Sequence, residues 1–114
     1  MSRALPLLPL RGVIVFPYTV IHLDVGRERS VSAIEDAMLH DRIIFLAMQK
    51  EAQDDDPGEE DIYTTGTIAE IKQLLKLPGG TIRILVEGIG RGKIKTYISH
   101  NPFLKVEVEE TVET

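Results

Sequence analysis

The sequence predicts a β-rich α+β domain: a curled sheet or open barrel of about six short strands with one main helix over residues 27–40. Several segments alternate apolar and polar residues with period two, as half-buried strands do. Only one stretch repeats apolar residues at helical spacing, and a Pro-Gly-Gly turn joins two of the alternating segments. With 114 residues, 43% hydrophobic and 27% charged, the chain has the size and composition of one domain with a modest core.

Taken in order, residues 5–10 ("LPLLPL") hold two prolines. Lacking N–H donors at Pro6 and Pro9, they are expected as an extended edge strand or covering arm. Val13-Ile14-Val15-Phe16 is expected as a short apolar strand stopped by Pro17. Residues 19–25 alternate, with Val20, His22 and Asp24 on one side and Thr19, Ile21, Leu23 and Val25 on the other. In the helix, Val31, Ile34, Ala37 and Met38 form the buried stripe, while Ser30, Glu35 and Asp36 fall on the wet side. The unbroken run "IIFLAM" (43–48) suits a central strand covered on both faces. An acidic, mobile loop is expected over 51–61, then strands over 64–77 and 81–88 joined through Leu77-Pro78-Gly79-Gly80. The turn's length, and so the register across it, is open. In the return strand Ile82, Ile84 and Val86 face inward, and Arg83, Leu85 and Glu87 outward. Gly88, Gly90 and Gly92 mark a bend before two further strands, 93–99 and 103–109. The closing "EVEETVET" carries no stop signal, so residues 1–110 are expected to form one domain of a longer polypeptide and 111–114 to begin a connection.

Composition excludes several functions. Without cysteine there is no disulfide framework, thiolate zinc site or thiol nucleophile. Thirteen basic and eighteen acidic residues give a net charge of −5, which disfavours nucleic acid, and three Phe, three Tyr and no Trp leave little for base stacking. No apolar run approaches the roughly 18 residues of a membrane span, and "MSRALPLLPL" is neither a signal nor a transit peptide, so a cytoplasmic location and no membrane partner are expected.

Motifs for catalysis are lacking. "EGIGRGK" misses the glycine spacing and the trailing Ser or Thr of a phosphate loop, so its glycines are read as bulge residues. The acidic run, started at Asp54, places Glu59 where a calcium loop needs glycine. His22, His40 and His100 show no metal-ligand spacing, and no serine has a recognisable base. No catalytic, cofactor or metal residue is therefore assigned. Arg91, Lys93 and Lys95 form a basic stripe, with Ile94, Thr96 and Ile98 on the opposite side. The distinctive features are apolar residues in wet surroundings: Leu85 between Arg83 and Glu87, Leu74 on the facing strand, Pro17-Tyr18 in a turn, and the Leu77-Pro78 turn. Exposed apolar patches rimmed by charge mark protein contacts, so Pro17, Tyr18, Leu74, Leu77, Pro78 and Leu85 are the candidate polypeptide-binding residues.

The ordered blocks "LPLLPLRGVIVFP", "DVGRERSVSAIEDAM", "IFLAMQK" and, after the acidic loop, "DIYTTGTIAEIKQLLKLPGGTIRILVEGIGR" resemble the N-terminal domain of bacterial ATP-dependent Lon proteases over about residues 4 to 110. The chain departs from the family's pattern at Gly90 and Gly92, where a charged residue and Ala are common. The resemblance implies a PUA-like pseudo-barrel with no chemistry of its own, in a homohexameric parent whose ATP- and Mg-dependent ATPase module and Ser-Lys protease module lie in later segments. It also implies capture of unfolded, damaged or degron-bearing proteins and support of hexamer assembly. A mainly assembling role, and an RNA-binding role borrowed from the PUA-like fold, are the alternatives.

Overall fold

The computed structural model describes residues 2–13 and 15–111. In chain order the elements are β1 (Ser2–Leu10), β2 (Val20–Val25), α1 (Glu28–Met38), β3 (Ile43–Met48), β4 (Thr65–Lys76), β5 (Ile82–Ser99) and β6 (Lys105–Thr111). Six strands form one sheet in the order β2-β5-β4-β3-β1-β6, and β6 also pairs with β5. β5, β4, β3, β1 and β6 thus close on themselves, while β2 hangs from β5 with a single strand partner.

Two cores follow from the alternation of side chains across the strands. Leu5 and Leu7 of β1, Phe45 of β3, Ile68, Ile94, Val106 and Val108 fill one. The intervening residues Leu8, Leu10, Ile44 and Leu46 fill the other, with Leu23, Val25, Ile71, Ile82, Ile84 and Val86 and with Ile34 and Ala37 of α1. This is why "IIFLAM" is apolar throughout: β3 has a core on each face.

β1 corrects one expectation, since it lies between β3 and β6 instead of at an edge. Its two halves use different neighbours, Ser2–Pro6 pairing antiparallel with β6 and Leu7–Leu10 parallel with β3. Leu7 donates its N–H to the Leu104 carbonyl at 2.8 Å, on the β6 side. Alternation then turns the donorless nitrogen of Pro6 towards the side where the β3 ladder has not begun, so its loss costs no ladder bond.

Val13, Val15 and Phe16 lie in no strand, and Ile14 of the expected strand 13–16 lies outside the described residues. The helix is shorter than expected, with Arg27 at its N-cap, and Ser30 is buried instead of wet. Its end is closed by Arg42, which donates its N–H to the Ala37 carbonyl at 2.8 Å and, at φ 65°, turns the chain away from the helix. The expected strands 81–88 and 93–99 are one 18-residue strand that stays continuous through the glycines. A Cβ on Gly88 would stand 2.5 Å from the Phe16 carbonyl oxygen, and one on Gly92 2.5 Å from Cγ1 of Val108, so these glycines permit close packing. Register shifts against β6 beyond Ile94 turn Tyr97 towards the core and leave Thr96 and Ile98 exposed, unlike Ile94. The β4–β5 turn has three residues, Pro78–Gly80, closed by the Leu77 N–H on the Thr81 carbonyl at 2.8 Å. Thr111 ends β6, and residues 112–114 lie outside the described set.

The acidic loop is pinned, which the charge run did not suggest. The buried Gln49 amide donates to the carbonyls of Glu51 and Asp54 at 2.6 and 2.7 Å, and its oxygen accepts from Arg27 at 2.8 Å. Arg11 pairs with Asp55, Arg29 with Asp56 and His100 with Glu59. Burial, and then the nearby Arg11 charge, lowers the pKa of Arg27.

Candidate functional site

Phe16, Pro17, Tyr18 and Thr19 form a tight turn, the Thr19 N–H lying 3.3 Å from the Phe16 carbonyl. Pro17 occupies the first central position, which suits its fixed φ. Tyr18 occupies the second at φ 66°, where glycine is usual. Tyr18 donates its N–H to the Gly88 carbonyl at 2.6 Å, and Gly88 donates back to the Thr19 carbonyl at 2.9 Å. Two residues therefore oppose one, which is a β-bulge of the kind that takes glycine in the left-handed region at its first position. The turn holds Tyr18 82% exposed, with Phe16 54% and Val20 54%. Ile89, next to Gly88, is 40% exposed at the same end of β5. A depression of about 350 Å³ runs from Phe16 past Met48 to Tyr63 and Arg91. Tyr63 is itself half exposed, with Lys50 Nζ 5.8 Å from its ring centre.

On the outer face of β2, β5 and β4, Leu85 stands between His22 and Gln73. Charge rims it. Arg83 meets Asp24 through two hydrogen bonds of 2.7 and 3.1 Å, holding the Asp24 carboxyl below its usual pKa. Lys72 reaches Glu70 at 2.8 Å and Glu87 at 3.3 Å, and those bonds raise its pKa.

Sequence reasoning placed Pro17, Tyr18, Leu77, Pro78 and Leu85 at or near the surface: Tyr18 and Pro78 are exposed, the other three partly buried. Leu74 does not stand beside Leu85. A register shift between Ile71 and Gln73 sets Leu74 opposite Ile84, packed on the core, and turns Leu75 outward, 57% exposed. The candidates are also dispersed. Gly88, under the Tyr18 turn, and Ile82, beside the Pro78 turn, are six positions apart along β5, about 20 Å. Val13, Phe16, Val20, Leu39, Tyr63, Leu75, Ile89 and Ile98 are exposed apolar residues that sequence reasoning did not single out. Only Val20 carried a signal, its place on the polar side of an alternating strand.

Among the described residues no three His, Asp or Glu side chains gather as metal ligands, and no helix is long and apolar enough to cross a membrane. In the basic stripe, Lys95 lies 3.8 Å from Glu109.

The chain is thus a β-rich pseudo-barrel with one helix and exposed apolar residues around the Pro17–Tyr18 turn, and the comparisons place it in a family. Residues 4–114 match the family described as the ATP-dependent protease La (LON) substrate-binding domain, and the chain belongs to that family. It is 72% identical over 111 residues to the Lon protease of Heliobacterium modesticaldum, covering 97% of this chain and 14% of that protein. To Lon protease 1 of Bacillus subtilis it is 53% identical over 109 residues, covering 96% of this chain and again 14% of the relative. The chain thus spans about one seventh of these curated relatives. The N-terminal domain of the Mycobacterium avium complex Lon protease superposes with a TM-score of 0.77 at 26% identity, covering 98% of this chain and 56% of that one. The Lon N-terminal domain protein of Xanthomonas campestris shares the fold, with a TM-score of 0.71 at 18% identity over 95% of this chain and 59% of the other.

Proposed function

We propose that this domain holds non-native polypeptides on the apolar ridge around Phe16, Pro17, Tyr18, Val20 and Ile89, and performs no bond chemistry itself. Tyr18 carries the reading: a large aromatic side chain is presented to solvent from a backbone position suited to glycine, and strain of that kind concentrates at functional sites. Leu75, Leu85, Leu77 and Pro78 offer a second, weaker contact at the far end of the sheet. Spread apolar spots rimmed by charge suit partners that share exposed side chains but no sequence, as unfolded, damaged or degron-bearing proteins do. In a cytoplasmic, hexameric parent using ATP and Mg, six copies would convert weak contacts into retention through effective concentration, alongside any role in assembly.

The test is to titrate the labelled chain with a folded protein and with its heat-unfolded form while following amide shifts. The unfolded form is expected to move Phe16, Tyr18, Val20 and Ile89, and the folded form to leave them in place. Equal responses to both would end the capture reading.

A further inference from the structure

β2 has one strand partner, and its other edge faces a cleft of about 770 Å³. Across the cleft lie Leu8–Leu10 of β1, and Arg27 sits at its helix end. Which backbone groups face the cleft follows from the bulge. Because Gly88 donates to the Thr19 carbonyl, alternation turns the peptide groups of Ile21, Leu23 and Val25 towards β5. Those of Val20, His22 and Asp24 therefore point to the open edge, where no strand among the described residues pairs with them. The two walls differ. On the β1 side, Pro9 has no N–H and its carbonyl accepts from Arg27 at 3.4 Å, so that wall is closed to pairing. The β2 wall has no proline and no such cover.

We propose that the open edge of β2 takes up an extended segment of the captured polypeptide as an added strand. This rests on the capture reading and supplies its binding mode: main-chain hydrogen bonds to Val20, His22 and Asp24 give affinity without demanding a sequence. Charge narrows the occupant. Of the guanidiniums lining this cleft, Arg83 is paired with Asp24 and Arg11 with Asp55, while Arg27 meets neutral oxygens, those of Gln49 and Pro9. An acidic side chain flanked by apolar ones fits it best. Val20 and Tyr18, at the start of the same edge, continue it into the apolar ridge.

The probe is an eight-residue peptide of alternating valine and threonine with one central aspartate. Two further versions are N-methylated at the odd or at the even residues, which removes N–H donors while keeping every side chain. The parent peptide is expected to protect the Val20, His22 and Asp24 amide protons from exchange. At least one methylated version should bind about tenfold more weakly. A His22→Pro chain, which removes an edge donor that β5 does not use, should lose the parent peptide to the same degree; circular dichroism checks its fold. If both methylated peptides bind like the parent while unfolded protein still moves the ridge residues, strand addition is overturned and capture stands. If neither peptide nor unfolded protein binds, both fall. Amide shifts at Val20, His22 and Asp24 that depend on chain concentration alone would assign the edge to a second copy and overturn the proposal.

Discussion

At the scale of single residues, Tyr18 sets stability against function. An L-residue in the left-handed region gives up roughly 1–2 kcal/mol that glycine does not. Tyr18→Gly should therefore leave the fold as stable or up to about 1 kcal/mol more stable in urea titration, once glycine's own entropy is counted. The same variant should lose much of its response to unfolded protein. The glycines of β5 separate in the same assay. Gly88→Ala forces a methyl group against the Phe16 backbone and should cost about 2 kcal/mol or more. Gly90→Ala meets nothing nearer than the Glu110 side chain at 3.9 Å and should change stability by less than about 0.5 kcal/mol. Tyr97 keeps a buried hydroxyl without a hydrogen-bond partner, and burial, helped by Glu59 and Glu60, pushes its pKa from 10.0 to about 12. Tyr97→Phe should thus add about 1 kcal/mol at neutral pH. Since the unfolded chain loses this proton first, the wild-type protein should also lose stability as pH rises from 10.0 to about 12. The phenylalanine variant lacks that contribution, and the difference between the two urea-midpoint profiles isolates it.

At the scale of elements, Gln49 ties the end of β3 to the acidic loop and to Arg27. Gln49→Leu strips a half-buried guanidinium of its shorter hydrogen bond, leaving Arg27 the 3.4 Å contact to Pro9, and frees the carbonyls of Glu51 and Asp54. A loss of about 2–3 kcal/mol in urea titration is expected, with faster proteolytic cutting between residues 51 and 58. Strict alternation made β2 and the first half of β5 legible in the sequence, down to which side chains face the core. β3 was legible because six consecutive apolar residues have few other uses. Alternation misleads at irregularities. The shift beside Lys72 exchanges the faces of Leu74 and Leu75, and those beyond Ile94 do the same for Tyr97 and Ile98. Neither carries proline or glycine to announce it. β1 was misjudged because its prolines show which ladder bonds are impossible, not that its two halves pair with different strands.

At the scale of the whole molecule, the candidate site was only partly legible, because an exposed ridge is made by residues that meet in space. Ile89, Phe16 and Tyr63 come from segments far apart in the chain, and each alone reads as core. If six copies act together, a hexameric parent should retain an unfolded protein at least about a hundredfold more tightly than the single domain, measured as dissociation constants in one buffer. β6 is laced on one side to β1 and on the other to β5. Tension along β6 would load two ladders in shear simultaneously, and neither could peel open one bond at a time like a zip. A handle fixed in this way lets the domain bear a pull without surrendering its shape.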